Sequence, residues 1–248
     1  YEPRALSYYD GKLFIADRFN HRVLIFNQIP TATDASADTV IGQEDLWSNQ
    51  TNQGLGMAQA DNLYAPTGVY VADDKIFITD TGNHRILIYD GIPTANGEGA
   101  DIVIGQEDFL SSQPNQGNYD PRSDTLYGPF GNTFYDGSRL FIPDSENNRV
   151  LIYNSLPAVN GAPADIVLGQ TDMTSRLLNG EMPSTVDPLN PPSPTSQSLY
   201  WPDGVFYYQN KLLVSDTNNN RVLIYEDDTP TPTPVGFHTP SPTPSVTP

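Results

Sequence analysis

The sequence predicts an all-β fold made from four copies of one four-stranded antiparallel unit. Two observations predict it: four matching segments lie along the chain, and two further motifs recur in phase with them. The matching segments include DKIFITDTGNHRILIY and NKLLVSDTNNNRVLIY, and the four begin at Gly11, Asp74, Ser138 and Asn210. The first phased motif is V-[IL]-G-Q, with its glycine at Gly42, Gly105 and Gly169. The second is Y-x-P-x-G, which starts at Tyr64, Tyr127 and Tyr200.

The second unit shows the four predicted strands in order. They are GVYVAD from Gly68, KIFITD from Lys75, RILIY from Arg85 and DIVIGQ from Asp101. The Asp73-Asp74 pair between the first two strands is typical of a tight hairpin turn. The second and third strands are almost continuously apolar, which indicates a sheet covered on both faces. Face-to-face stacking of the units supplies that cover, so the sequence predicts a β-propeller of four-stranded blades.

The fourth unit is incomplete, since no V-[IL]-G-Q strand follows it. Its third strand would present an unpaired apolar edge, which proteins rarely leave bare. We therefore predict an assembly edge at Arg221, Val222, Leu223, Ile224 and Tyr225. The segment that follows, a strand of another subunit or residues preceding Tyr1 are the three candidates to cover it.

The chain divides into two parts by composition. Residues 1–228 carry the repeats, and residues 229–248 are dominated by Thr and Pro. Alternating proline favours an extended polyproline II conformation and excludes a regular central strand. The second part is therefore predicted to be a tail or linker, of a composition found in the spacers of secreted proteins.

The segments DTGNHRILIYD and DTNNNRVLIYE, each after a P-x-G-V lead-in, resemble NHL repeats. The resemblance covers the four units and implies a β-propeller, a fold that in this family usually has five or six blades. The chain departs from the pattern in its long period of about 64 residues and in its four units. A closed four-bladed ring and part of a larger ring both remain open.

Three long polar inserts lie between the last strand of one unit and the first strand of the next. They span approximately Glu44–Ala65, Glu107–Gly128 and Thr171–Tyr200. In a propeller these connections emerge on the same side as the turns between the second and third strands. Loops of this length usually bind a partner or pack against one, so we expect a functional surface there rather than mere decoration.

Each turn between the second and third strands carries an Asp, an Asn and an Arg with the spacing D-x-x-N-x-R. The sets are Asp17, Asn20 and Arg22; Asp80, Asn83 and Arg85; Asp144, Asn147 and Arg149; and Asp216, Asn219 and Arg221. Because every unit repeats the set, we interpret it as structural, with Asp and Asn capping turn amides and Arg paired to an Asp. The alternative is a ring of ligand or cation contacts near the channel.

Composition excludes several classes of function. The net charge is −18, from 30 acidic and 12 basic residues, which disfavours nucleic acid and anionic membranes as partners. The chain contains no cysteine, so disulfides and thiolate sites are excluded, and no apolar run is long enough to insert into a membrane. We expect no cofactor. Ca²⁺ stays an alternative, because Thr33–Asp38 and Tyr225–Asp228 offer hard oxygen ligands, although without the spacing of a known calcium loop.

The histidines do not indicate catalysis. His21 and His84 occupy a repeat position that the other two units fill with Asn148 and Asn220, and His238 lies in the tail. A residue that asparagine replaces within one chain fits a turn better than a catalytic base. We therefore predict that the protein is not an enzyme, with a hydrolase or lyase using channel carboxylates as the weakest alternative.

The prediction for function is a non-catalytic extracellular structural protein that self-associates, as a filament for example, through the open last blade and the Thr/Pro tail. The alternative is a secreted binding module that recognises a glycan or a protein on the loop-bearing face. An extracellular address also makes glycosylation relevant. The candidate acceptors are Asn49, Thr229, Thr231, Thr233, Thr239 and Thr243.

Overall fold

The computed structural model describes residues 1–182 and 191–226. The strands form four antiparallel sheets in chain order, and each sheet is one blade of a four-bladed β-propeller. The first blade contains β1 (Pro3–Tyr9), β2 (Lys12–Asp17), β3 (Arg22–Phe26) and β4 (Thr39–Ile41). The second contains β5 (Gly68–Ala72), β6 (Lys75–Asp80), β7 (Arg85–Tyr89) and β8 (Ile102–Ile104).

The last two blades differ in their number of strands. The third contains β9 (Phe134–Tyr135), β10 (Leu140–Asp144), β11 (Arg149–Tyr153) and β12 (Ile166–Leu168). The fourth contains β13 (Pro202–Tyr208), β14 (Lys211–Asp216) and β15 (Arg221–Glu226), and among the described residues it has three strands. The predicted all-β propeller fold is therefore confirmed, and within residues 1–182 and 191–226 the fourth blade has no outer strand. The Thr/Pro-rich part from Thr229 lies outside the described residues.

Local backbone geometry explains why the same residue types recur in the turns. The first hairpin turn of the second blade places Asp73 and Asp74 at φ 50° and 59°, the left-handed geometry of a type I′ turn. Each turn between the second and third strands is a short 3₁₀ segment. It ends on one residue in the left-handed conformation, with φ between 51° and 55°: His21, His84, Asn148 or Asn220. Asparagine and histidine tolerate this geometry better than most residues.

The outer strands are shorter than the DIVIGQ pattern predicts, because the glycine of the motif ends each of them. Gly105 has φ +91°, and a Cβ there would lie 2.5 Å from Cδ1 of Leu126. Only glycine fits this conformation and this space. The chain therefore leaves the sheet at the glycine and enters the long loop, while β1 is longer than predicted and begins at Pro3.

Successive blades pack face to face through three apolar cores. We call the face of a blade that points to the next blade its forward face, and the opposite one its rear face. Forward side chains of the first blade, such as Phe14 and Ile25, share a core with rear side chains of the second, such as Val69 and Ile78. The same arrangement repeats between the second and third blades and between the third and fourth. Among the described residues, no core cluster joins the fourth blade to the first.

Candidate functional site

The Asp, Asn and Arg of each predicted set meet in one cluster within their own blade, and this cluster is buried in the two middle blades and partly exposed in the end blades. In the second blade, Asp80 Oδ2 accepts hydrogen bonds from Asn83 Nδ2 and Arg85 Nε, both at 2.8 Å. Its Oδ1 accepts the backbone N–H of Tyr64 at 2.7 Å, at the start of the Y-x-P-x-G lead-in. The same side-chain bonds link the other three sets: Asp17 with Asn20 and Arg22, Asp144 with Asn147 and Arg149, and Asp216 with Asn219 and Arg221.

The arginine of each cluster fastens the long loops to the blade. Arg85 Nη1 donates to the carbonyl of Phe109 at 2.8 Å, and Nη2 donates to those of Gln59 at 2.8 Å and Asn62 at 3.0 Å. Arg149 makes the equivalent bonds in the third blade, and both guanidinium side chains are fully buried. The arginines of the two middle blades are thus committed to internal carbonyls rather than to a ligand.

The sequence led us to expect that the carboxylate caps the amides of its own turn, but it makes no such hydrogen bond. In the second, third and fourth blades it accepts the lead-in amide instead, from Tyr64, Tyr127 and Tyr200. The reason is topological: the turn and the lead-in meet only in the folded blade. Burial raises the pKa of Asp80 and Asp144, and the adjacent Arg and Asn side chains act in the opposite direction.

Two residues of the long loops also belong to this network, and the sequence analysis missed their role. Gln106 of the VIGQ motif donates from Nε2 to the carbonyls of His84 at 3.1 Å and Gln113 at 2.9 Å. Asn115 and Asn147 exchange side-chain amide bonds at 3.1 and 2.9 Å. The equivalents are Gln43, Gln170, Asn52 and Asn179. Their recurrence in phase with the repeats was the available signal.

The two described histidines bind backbone groups. Nδ1 of His84 accepts the N–H of Gly128 at 3.0 Å, and Nδ1 of His21 accepts that of Ala65 at 3.0 Å. Burial lowers the pKa of His84 to about 4, and it also lowers that of His21. In the third blade Oδ1 of Asn148 accepts the N–H of Trp201 at 3.0 Å, so asparagine does the same work.

The Asp-rich segments named for calcium divide between described and undescribed residues. Asp38 of the first segment accepts the backbone N–H of Asn27 at 2.8 Å, as Asp101 does for Asp90 in the second blade. Asp227 and Asp228 lie outside the described residues. Within residues 1–182 and 191–226, no group of three or more His, Cys, Asp or Glu side chains is arranged to hold a metal ion.

The long loops display side chains on the face that they share with the turns. Asp45 Oδ1 accepts the N–H of Trp47 at 2.8 Å and thereby shapes a tight turn in the first loop. The indole of Trp47 points to solvent, since this residue is 86% exposed. Asn49, the candidate glycosylation site, is also exposed in this loop, and the hydroxyl of Thr51 bonds to His21. The threonine acceptors from Thr229 onward lie outside the described residues.

The fourth blade presents an uncovered apolar face. Its rear face is buried against the third blade, whereas Phe206, Tyr208, Val222 and Ile224 on its forward face are all more than half exposed. The predicted assembly edge is β15, which pairs with β14 on one side only within the part of the chain that the structure describes. Edge and face together form one surface with no counterpart in the two middle blades.

No membrane-spanning element is present among the described residues. The helices there are short 3₁₀ turns, and none is long and apolar enough to cross a bilayer.

The sheets and their stacking define the class of this protein as a β-propeller. The family model for the NHL repeat matches residues 63–89, which lie in the second blade. These residues span β5 to β7, including the Asp80, Asn83 and Arg85 cluster. The chain is therefore a β-propeller whose second blade matches the NHL repeat. A comparison with curated proteins found no match to the sequence.

Solved structures with a similar course of the chain include a computationally designed protein and two enzymes. The designed protein Ika4 is 7% identical, with a TM-score of 0.43 and 90% of each chain covered. Periplasmic gluconolactonase of Pseudomonas aeruginosa is 13% identical with a TM-score of 0.45, covering 95% of this chain and 59% of that one. Virginiamycin B lyase of Staphylococcus aureus is 14% identical with a TM-score of 0.42, covering 92% and 56%. All three scores lie below 0.5, so the likeness carries no argument about function.

Proposed function

We propose that this chain is a non-catalytic extracellular structural protein whose propeller subunits self-associate into a larger assembly. The observation that carries the proposal is the forward face of the fourth blade. There the apolar side chains of a blade core meet solvent beside the open edge of β15. Covering such a patch lowers the free energy of the protein, and an unpaired strand edge is a template for further pairing.

The exposed face has the composition of a core rather than of a surface. Val222 is 59% exposed, whereas Val150 occupies the same position in the third blade and is 0% exposed. Phe206 and Tyr208 extend the patch across β13. Burying apolar area stabilises a contact by about 25 cal/mol per Å² before the cost of association. Covering this patch with the surface of a partner therefore favours association.

The remaining polar groups support a structural role. The buried arginines, aspartates and both described histidines bond to backbone groups or to one another, which holds loops in place. The extracellular location is supported by the Thr/Pro-rich segment, whose composition resembles that of spacers in secreted proteins. The net charge of −18 opposes association of copies at low ionic strength, so association should strengthen as salt screens the charge.

Analytical ultracentrifugation with negative-stain electron microscopy tests the proposal. The full chain should associate as its concentration rises, and a variant with Val222→Lys and Ile224→Lys should remain monomeric at the same concentrations. A chain that ends at Asp228 tests the contribution of the Thr/Pro-rich segment and should associate less. A full chain that stays monomeric at all concentrations and salt levels would contradict self-assembly.

Val159→Lys is the control for an added lysine, and it is compared with Val222→Lys alone, which adds the same single charge. Val159 is as exposed as Val222, but it lies in a loop of the third blade away from the fourth. This variant should associate as the wild type does. An equal loss of association in Val159→Lys and in Val222→Lys would point to a general effect of an added surface lysine instead of a specific surface.

One observation favours a second candidate function, a binding module on the loop face. The exposed Trp47 ring sits on a turn that Asp45 holds in place, and flat aromatic rings are suitable for stacking on sugars. Titration of the chain with oligosaccharides, followed by isothermal titration calorimetry, tests it. Binding that is lost in Trp47→Ala but kept in Leu110→Ala, the equivalent loop position in the second blade, would support glycan recognition.

A further inference from the structure

We infer that the surface covering the forward face of the fourth blade is the rear face of the first blade of a second copy, so that chains join head to tail. This inference rests on the proposed self-association and names the partner surface for it. It follows from the first blade, which has an uncovered apolar face of its own on the side opposite to the second blade.

The rear face of the first blade is exposed where equivalent faces are buried. Leu6 pairs with Ile15 as Val69 pairs with Ile78, yet Leu6 is 64% exposed and Val69 is 0% exposed. Tyr8 pairs with Leu13 as Tyr135 pairs with Leu140, yet Tyr8 is 65% exposed and Tyr135 only 8%. The first and fourth blades therefore each expose one face, and the two faces are of opposite type.

The three internal interfaces show how a forward face and a rear face fit together. At two of these interfaces, a phenylalanine on the second strand of one blade lies against a tyrosine on the first strand of the next. The ring centroids are 5.3 Å apart for Phe77 and Tyr135 and 5.6 Å apart for Phe141 and Tyr207. By strand register, Leu213 is the equivalent of Phe141 and Tyr8 is the equivalent of Tyr207. A head-to-tail joint places Leu213 of one copy against Tyr8 of the next, at the same two positions but with leucine in place of phenylalanine.

A joint of this kind is favoured over a symmetric one. Every interface inside the chain joins a forward face to a rear face, so these two surfaces already have complementary shapes. Among the described residues, none of the three cores is formed by two forward faces. Within one chain the two end faces do not cover each other, since Tyr8 and Val222 are both exposed. Repeated head-to-tail contacts close a ring when the rotation closes and otherwise form a filament.

Two complementary variants test the inference. The rear variant carries Leu6→Lys and Tyr8→Lys, and the forward variant carries Val222→Lys and Ile224→Lys. All four side chains are exposed in the isolated chain, so both variants should fold, which circular dichroism and urea unfolding verify. Burying a lysine in the joint should weaken association by at least roughly 100-fold.

Sedimentation of the variants alone and mixed distinguishes the arrangements. Head-to-tail joining predicts that each variant alone is monomeric and that the mixture stops at a heterodimer, because one intact forward face meets one intact rear face. Association of the rear variant at wild-type strength, with no heterodimer in the mixture, would overturn the inference while leaving self-association in place. A wild type that never associates would overturn the inference and the proposed function together.

A cross-linking measurement locates the contact independently of the lysine variants. The chain has no cysteine, so Tyr8→Cys and Leu213→Cys each introduce one thiol. A short bis-maleimide should link the two variants when they are mixed, and link neither variant to itself. A double variant that carries both Tyr8→Cys and Leu213→Cys tests closure within one chain. A link inside this variant at high dilution, detected at the mass of a monomer, would show that the end faces close one chain on itself and would overturn the inference.

Discussion

The pentapeptide RVLIY occurs twice in this chain, in two different environments. It forms β11 in the third blade and the first five residues of β15 in the fourth. All five residues are buried in β11, whereas Val222 and Ile224 of the second copy are exposed. Both copies pair with a similar second strand in the same register. The difference comes from what lies beside the strand: β11 has the fourth blade on its forward face and β12 at its outer edge, and β15 has neither among the described residues.

The stability of each blade therefore depends on the blades that pack against it. The middle blades have two covered faces and a cluster of Asp, Asn and Arg that is closed to solvent. The end blades keep the same hydrogen bonds, but their arginine side chains are partly exposed, at 15% for Arg22 and 24% for Arg221. Identical residues should therefore contribute more in the middle of the chain than at its ends.

The largest expected difference concerns the buried ion pair. Arg149→Met leaves the carboxylate of Asp144 buried without its cation, which should cost about 3–5 kcal/mol of unfolding free energy. In Arg221→Met the lost arginine is 24% exposed, so water can take its place beside the buried carboxylate of Asp216, and the cost should be smaller, at about 1 kcal/mol. Urea unfolding at low protein concentration measures both. Equal losses in the two variants would mean that the environment of the blade does not set the strength of the cluster.

The next difference concerns the apolar core. Ile152→Ala opens a cavity between the third and fourth blades and should cost about 2–4 kcal/mol. Ile224→Ala, at the same position of the second RVLIY, should change the stability of the isolated chain by less than about 0.5 kcal/mol. If copies join at this face, the cost of Ile224→Ala grows with protein concentration. Thermal unfolding over a range of concentrations checks both statements, and a concentration-independent cost for Ile224→Ala would argue against the joint.

The smallest difference concerns pH, between His84 in the second blade and Asn148 in the third. The pKa of His84 is lowered to about 4, below the ordinary 6.5, so the unfolded chain binds a proton more readily than the native one. The contribution of neutral His84 is complete above pH 6.5 and is lost as the pH falls toward 4. Protonation also places an N–H opposite the donor N–H of Gly128.

His84→Asn isolates this effect, since Asn148 already fills the equivalent site. The wild type should lose about 2 kcal/mol more than this variant between pH 7 and pH 4. Urea unfolding as a function of pH measures it. Parallel pH profiles for the two proteins would show that His84 does not titrate in this window, and His21→Asn provides a second instance of the same comparison.

Much of this architecture could be predicted from the sequence, because its signals are local and repeated. The strands β5 to β7 begin where the pattern of the second unit predicts, and the D-x-x-N-x-R spacing correctly indicates an Asp paired with an Arg. The Arg–carbonyl bonds to the loops and the paired Asn115 and Asn147 could not be predicted in the same way. They join residues more than 20 positions apart, through loops whose course has no periodic signal.

The sequence by itself determined the blade: alternation of apolar strands, turn residues that accept positive φ, and glycines that end the outer strands. These properties depend on residues close together in the chain, so they can be predicted from the sequence. Only the tertiary structure decided which faces stay uncovered, since RVLIY reads the same in β11 and β15. Burial depends on whether another blade lies opposite, and that is a property of the position of a unit in the stack rather than of its residues.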